Sequence, residues 1–401
     1  MSLAIVPVRS KREFKEFIAL PWRIYSPAKH PHWVPPLRLM VQDALDTKKN
    51  PFYQRASREL WLALRDGEPV GRIAAIENPM HNEFHHDRVG FFGFFESVDD
   101  QAVASALFET AAGWLRERGL DAMRGPMSPS TNQECGLLVG GYDEHPMFLT
   151  PWNPPYYEPL ITGAGLAPVK DLLGYMVKID APEFRLSPKY DEHSKRALER
   201  GKVVFRSLDL DNFDSEVSTW FDIYNSAWES NWGFVPMSRE EFVHMAKELK
   251  PLLDTRYALV AEVDGKPAGM LLMLLDYNLI FKRIPTGKLL PTGLFKLLFG
   301  KKKLHTGRTI LLGVKKEHRT RSIYQLLLRE IIRRGYDTGL LEAEASWILE
   351  DNLLMNRPLL AMGAKAYRRW RIYERPLVGA PVGTVPSTSA STSSSRSART
   401  A

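Results

Sequence analysis

Cysteine is almost absent from this sequence. Its single copy, Cys135, excludes an intramolecular disulfide framework and suits a reducing compartment. Long apolar runs are missing as well. The longest, 268–275 (AGMLLMLL), stops at Asp276, far short of a bilayer span, and reads as a core strand. The opening segment MSLAIVPVRSKREFKEFIAL has only a short apolar patch broken by Pro7 and Arg9, unlike the apolar core of a secretory signal. These absences predict a cytoplasmic protein.

What is present describes a globular chain. At 401 residues it exceeds the usual single domain, and 44% hydrophobic with 25% charged residues can build more than one core. A net charge of +7 and a pI near 9.2 admit nucleic acid, an anionic membrane surface or a phosphorylated cofactor, and equally a mildly basic soluble enzyme.

The chain divides at a polar, proline-bearing segment, 181–193 (APEFRLSPKYDEH), and two blocks of one grammar flank it. In the first, the runs 59–64 and 70–76 enclose Asp66-Gly67; in the second, 257–263 and 268–271 enclose Asp264-Gly265. Each reads as a hairpin with an Asp-Gly turn. Each is followed by a strand (90–95; 309–314), an amphipathic helix (102–118; 323–334) and a further strand (122–125; 340–345). Each block closes with an extended segment after a glycine, 171–177 after Gly165 and 367–373 after Gly363. This order, met twice, predicts a duplicated α/β unit. The expected domains are 1–180 and 194–378, with a disordered Ser/Thr-rich tail at 379–401.

Between the second block's strand and helix lies GVKKEHRTRSIYQLL, 313–327. A helix start offers unpaired amides and partial positive charge to an anion. Lys315, Lys316, His318, Arg319 and Arg321 surround this turn with only Glu317 opposing, whereas the first block's counterpart, ESVDDQ at 96–101, is acidic and repels phosphate.

In its order of elements and this turn, the chain resembles the GNAT superfamily of acyl-CoA-dependent N-acyltransferases, whose loop runs Arg/Gln-x-x-Gly-x-Gly/Ala. Here Arg319-Thr320-Arg321-Ser322-Ile323-Tyr324 occupies that frame; Arg319 matches, while Ser322 and Tyr324 stand where glycine-class residues belong. The resemblance implies an α/β (α+β) fold of two tandem GNAT-like domains, each a mixed, mainly antiparallel central sheet flanked by helices. It also implies acyl-CoA as cosubstrate, no metal, and cofactor contacts from Leu312, Gly313, Val314 and from Arg319, Thr320, Arg321, Ser322, Ile323 and Tyr324. Gly313 suits close backbone approach. The family's usual acid, a tyrosine, falls at Leu359 and is not carried over. The runs 91–96 (FFGFFE), 124–136 (RGPMSPSTNQECG) and 151–157 (PWNPPYY) are further similar to a bacterial double-GNAT subgroup, the ceramide synthases, which N-acylate a sphingoid base. The first domain would then recognise substrate.

Such transfer needs a base, and carboxylates are the candidates. Glu342 and Glu344 share a face of the strand 340–345 by alternation; Glu344, Glu350 beyond that strand, and Glu134 of the first block are the catalytic candidates, with ion pairing to nearby arginines as the other role. Glu96, Asn132, Asn153 and Tyr156 are candidates for orienting substrate, and turn capping explains the asparagines equally well. Cys135, lacking a partner histidine, reads as structural. His81, His85 and His86, with no cysteine nearby, read as a capping cluster rather than a metal site.

The segment 282–303 (KRIPTGKLLPTGLFKLLFGKKK) alternates leucine and phenylalanine with lysine, as an interfacial element does, and predicts peripheral contact with the anionic inner membrane. A buried helix with a basic end is the other reading. A FemAB-like aminoacyl-tRNA-dependent transferase and a degenerate binding module are the alternative functions. No nucleic acid partner is expected, because no basic-aromatic array is evident.

Overall fold

A computed structural model describes residues 2–377 except 187, 189–191, 193, 195, 199–202 and 230, and it describes the backbone but not the side chains of 320 and 321. The expected tail, 379–401, and residues 187, 189–191 and 193 of the segment 181–193 lie outside the described residues.

The strands are β1 (Leu3–Pro7), β2 (Ser57–Arg65), β3 (Glu68–Glu77), β4 (Val89–Ser97), β5 (Ala122–Gly125), β6 (Met127–Ser128), β7 (Glu134–Cys135), β8 (Leu137–Gly140), β9 (Ala167–Lys178), β10 (Val203–Ser207), β11 (Ala258–Val263), β12 (Lys266–Leu275), β13 (Thr306–Val314), β14 (Glu342–Leu349) and β15 (Lys365–Pro376). The hairpins β2–β3 and β11–β12 turn as expected. Asp66 and Asp264 take φ of 50°, followed by Gly67 at 87° and Gly265 at 76°, the paired positive dihedrals that match strand twist.

One 13-stranded sheet runs β1-β2-β3-β4-β5-β15-β9-β14-β13-β12-β11-β10, with β8 also on β15 and β6–β7 a separate ribbon. Most pairs are antiparallel; β4–β5 and β13–β14 are parallel. The two halves exchange their last strands. The strand β9, from the first half, pairs with β14 of the second, while β15, from the second, pairs with β5 of the first. The exchanged strands lie against each other, from Lys365 opposite Met176 to Glu374 opposite Ala167. Asp171 fastens this seam by accepting from Arg369 and from Arg371 at 2.6–2.9 Å.

Helices cover the sheet. Gln101–Glu117 buries Val103, Ala104, Leu107, Phe108, Ala111, Ala112 and Leu115, the spacing of one helical face; sequestering each large side chain contributes about 1.5–3 kcal/mol. In the second half Ile323–Thr338 buries Ile323, Leu326, Leu327, Ile331 and Ile332 and stops at Gly339, φ 74°, a left-handed cap. The run 268–275 is buried in β12.

Each parallel pair is short. Strands β4 and β5 pair only over Val89–Phe91, and β13 and β14 only over Thr306–Thr309. Beyond those points the strands part. Register shifts against β3 and β12 leave one extra residue near Phe94 in β4 and at Ile310 in β13. Such bulges bend a strand and end its pairing, so each half contains a V-shaped opening in the sheet.

Because β15 is bonded to both halves, its opening requires the sheet to come apart. In hydrogen exchange followed by mass spectrometry, amides of Trp370–Tyr373 and Leu172–Gly174 are expected in one slowest-exchanging class. Faster exchange of β15 than of β2 would contradict this.

Candidate functional site

The two openings differ in what fills them. In the first half, the Phe94 N–H donates to Ser128 Oγ at 3.0 Å, and the Met127 carbonyl lies so close that a Cβ on Gly93 would come within 1.8 Å of it. Chain from 127–128 therefore plugs the opening. The helix beyond is closed too: Asp100 accepts from the Ala102 and Val103 amides at 2.8 and 3.4 Å and pairs with Arg65 at 2.6 Å. Its own carboxylate already occupies the place an external anion would take.

In the second half β13 continues past Thr309 without pairing to β14, so Ile310, Leu311 and Leu312 border the opening and remain partly accessible. A 3-10 turn, Lys316–Arg321, leads to Ser322 at φ 60°, which makes no side-chain capping hydrogen bond at the start of the next helix. The loop thus needs a left-handed residue at one position, and serine adopts that geometry at modest strain. Tyr324 is inside the helix, partly packed on the second core, and Ile323 is buried; neither needs glycine. Arg319 donates to the Ser226 and Ala227 carbonyls at 3.3 and 3.0 Å, and the Lys316 N–H to Ser226 Oγ at 3.3 Å. These bonds dock the loop on the end of the helix Phe213–Trp228. The close approach at Gly313 is to Trp228, whose ring a Cβ would meet at 2.5 Å. Leu312 and Val314 flank it on β13, while Thr320 and Arg321 belong to the turn, their side chains outside the described residues.

One of the expected carboxylates, Glu344, meets an arginine. Glu344 is fully buried; it accepts from Ser346 Oγ and from the Tyr367 hydroxyl, and Arg308 Nε stands 3.5 Å from it. Burial, with the Glu344 charge, drives the Tyr367 hydroxyl pKa far up. Glu134, on β7, also lies in the field of Arg308. It keeps accessible surface and accepts no hydrogen bond among the described residues. Nearby protein pushes its pKa up, opposed by Arg308 and reinforced by Glu96, but the residue is solvent-exposed, so water screens that push. An accessible, unpartnered carboxylate with a raised pKa has the properties of a general base. Glu350 is elsewhere, accepting from the Asp171 N–H at 3.1 Å at the strand end.

Of the residues considered for orienting substrate, Glu96 is held by the hydroxyls of Tyr25 and Tyr157, each at 2.6 Å, and by Arg72 at 3.5 Å; burial raises its pKa despite Arg72. Asn153 accepts from the Leu138 N–H and donates to the Leu138 carbonyl at 2.8 and 3.1 Å, as a backbone clamp. Tyr156 donates to the Ser97 carbonyl at 3.0 Å. Asn132 bridges the halves, donating to the Val235 carbonyl at 3.1 Å and accepting from Tyr224 at 2.9 Å. Cys135 is buried beside Glu134, its pKa pushed up to about 12 by burial. His81 stands 3.3 Å from Asp87 and His85 is bonded to the Phe234 carbonyl; among the described residues no cluster of His, Cys, Asp and Glu is arranged to hold a metal.

Sequence reasoning missed Arg308, Ser346 and Tyr367. A faint signal existed: Arg308 is the one charge in a strand otherwise free of charges, two residues before the apolar run 310–312, and a charge in an interior strand needs a partner.

No protein-family model matches the chain. It is 38% identical over 384 residues to the bacterial ceramide synthase of Caulobacter vibrioides, across 94% of this chain and 98% of that protein. It is 34% identical over 374 residues to the protein YghO of Escherichia coli, across 92% and 94%. Among solved structures it superposes on a tandem GNAT protein from the clavulanic acid biosynthesis pathway with TM-score 0.54, over 95% of this chain and 100% of that one, at 13% identity. This last likeness concerns the fold.

The backbone at position 322 makes a separable prediction. Ser322→Gly is expected to match or exceed the parent in stability, whereas Ser322→Val, β-branched at positive φ, loses about 1–3 kcal/mol in urea unfolding. Equal stability of the two variants would refute the left-handed turn.

Proposed function

Because the chain belongs to the family of the bacterial ceramide synthase and is an N-acyltransferase of tandem GNAT fold, we propose that it transfers a fatty acyl group from acyl-CoA to the amine of a sphingoid long-chain base, giving a (dihydro)ceramide. The observation that carries CoA dependence is the asymmetry of the two halves. In the second half β13 runs on past its pairing with β14, and no side-chain capping hydrogen bond is made at the start of the next helix, whereas Asp100 caps the corresponding helix of the first half; a helix start without such a cap suits a pyrophosphate. The sphingoid acceptor rests on the full-length likeness to a protein of that name.

In this reading the cosubstrate contacts come from Leu312, Gly313 and Val314 along the strand and from the turn Arg319, Thr320, Arg321, Ser322 with Ile323 and Tyr324. Amides there face the phosphates, and basic side chains add charge. The first half, 1–180, supplies substrate contacts near Glu96, Asn132, Asn153 and Tyr156, and the second, 194–378, the acyl donor. Glu134 takes a proton from the substrate ammonium. The freed amine attacks the thioester carbonyl, the C–N bond forms as the C–S bond breaks, and the departing thiolate takes the second nitrogen proton. Glu344, saturated by Ser346 and Tyr367, organises the wall of the site, and Glu350 braces the strand end.

Purified protein with a long-chain acyl-CoA and a sphingoid base is expected to release free thiol in proportion to N-acylated lipid; no release at any chain length would sink the reading. Glu134→Gln is expected to lower kcat by about 10²–10⁴-fold and to abolish an acidic limb of kcat/KM that lies above the ordinary glutamate range. The sign for stability is opposite. A carboxyl whose folded pKa is raised destabilises the fold once ionised, so the variant is at least as stable as the parent at neutral pH, and the difference vanishes below the ordinary glutamate pKa.

The amine is a membrane lipid, and segment 282–303 is proposed to meet the bilayer. No helix among the described residues is long and apolar enough to cross a membrane. On and before the helix Gly293–Gly300, however, Leu290, Phe295, Leu298 and Phe299 are 73, 62, 63 and 73% exposed, and no acidic residue occurs between Asp276 and Glu317. Exposed Lys282, Lys288, Lys302 and Lys303 surround the apolar side chains and contribute about 1 kcal/mol each near an anionic surface. Sedimentation with vesicles rich in anionic phospholipid is expected at low salt and lost in Phe295→Ser/Phe299→Ser. Equal sedimentation of parent and variant would overturn the contact.

A further inference from the structure

Segment 282–303 is docked on the first half near its beginning. Trp22 Nε1 donates to the Pro285 carbonyl at 2.8 Å. Arg38 donates through Nε to the Thr286 carbonyl and through its backbone N–H to the Gly287 carbonyl, both at 2.9 Å, and its guanidinium lies 4.1 Å from the Trp22 ring centroid. Gly287 takes φ 65°, and a Cβ there would come within 2.5 Å of the Trp22 ring, so the turn lies directly against this indole.

From Trp22 a run of rings leads inward. Trp22 meets Trp33 edge-on at 5.7 Å, Trp33 stacks on Tyr25 at 4.7 Å, and Trp152 stands edge-on to Tyr25 and to His30, each at 6.1 Å. Trp22, His30, Trp33 and Trp152 keep accessible surface, while Tyr25 is 4% exposed. Trp22, Tyr25, His30 and Trp33 stand apart from the four apolar clusters of the described residues. The run ends on a carboxylate with room for another donor. Glu96 Oε2 accepts from the Tyr25 and Tyr157 hydroxyls, each at 2.6 Å. Oε1 has, among the described residues, only Arg72 Nη2 at 3.5 Å, beyond a charge-assisted hydrogen bond, and so retains acceptor capacity. His30 adds no second cation: its Nδ1 accepts the Ser26 N–H at 3.2 Å, and burial with the Lys29 charge lowers its pKa.

Aromatic side chains attract an ammonium through their quadrupole and offer apolar surface to the chain behind it. We propose that Trp22, His30, Trp33 and Trp152, mounted on Tyr25, form the surface that recognises the ammonium headgroup of the acceptor lipid and passes it from the bilayer toward Glu96. The proposal rests on the acceptor being a long-chain amine drawn from the membrane.

The test uses two unreactive probes in micelles of a neutral detergent: the trimethylated, permanently charged form of a sphingoid base, and the neutral alcohol of equal chain length. The readout is the inhibition constant of each against N-acylation of the sphingoid base, measured on full-length parent, Trp33→Leu, Trp33→Phe and Trp152→Leu. One cation–π contact corresponds to about 2- to 30-fold in affinity. The parent is expected to prefer the charged probe, and W33L and W152L each to lose about that factor of preference while KM rises for the base and not for acyl-CoA. W33F keeps a ring and should stay within about threefold of the parent. A parent without preference overturns the proposal, as does W33L at the parent ratio or W33F falling as far as W33L. Should W33L fail to fold, W152L decides by the same ratio. A parent that N-acylates no sphingoid base sinks the ceramide reading and this proposal with it; a parent that does so, with a ratio insensitive to both tryptophans, sinks this proposal alone.

Discussion

The pairing of β9 with β15 is the interaction on which the rest of this molecule depends. Each strand leaves its own half, and the two meet along a ladder fastened by Asp171 between Arg369 and Arg371. The exchange turns two sheets into one and makes the seam between halves a hydrogen-bonded interior. Within that interior the buried Glu344 and Arg308 stand 3.5 Å apart, and a carboxylate and a guanidinium influence each other strongly only where water is scarce. It also holds the first-half segment carrying Phe148 and Leu149 within reach of Arg308.

The two similar halves each carry an opening in that sheet, and small differences give the openings different surroundings. A carboxylate at Asp100 satisfies the first helix start from within, and 127–128 fills the space beside β4. At the second opening, among the described residues, no side-chain capping hydrogen bond is made at the helix start. Its helix begins at a left-handed serine, and the loop before it is docked by Arg319 onto the preceding helix. The first half contributes β7, which carries Glu134. In the proposed reaction one half carries the acyl donor and the other the base.

Much of this fold was legible in one dimension because its signals are local. The hairpins announce themselves through Asp-Gly turns, the helix Gln101–Glu117 through its apolar spacing, and the tandem repeat through the order of elements. The basic turn before the second helix was legible as charge and position, and its missing glycines are explained by a structure that asks for positive φ at Ser322 alone. The role of Gly313 was less legible: its space belongs to Trp228, eighty-five positions earlier in the chain by subtraction of 228 from 313. For the polar candidates, residue type identified Glu134, Glu344 and Glu350 alike, but their surroundings separate them.

The sequence by itself determined the two α/β units, the basic turn of the second and the acidic counterpart in the first, because turn dihedrals, helical periodicity and charge are properties of neighbouring residues. Only the tertiary structure decided that the terminal strands cross over, that Arg308 reaches Ser346 and the Phe148–Leu149 backbone, and that, among the described residues, Glu134 accepts no hydrogen bond while Glu344 is saturated. Those outcomes follow from strand pairing and burial between residues far apart in the chain, where no local pattern records which partner a charge will find.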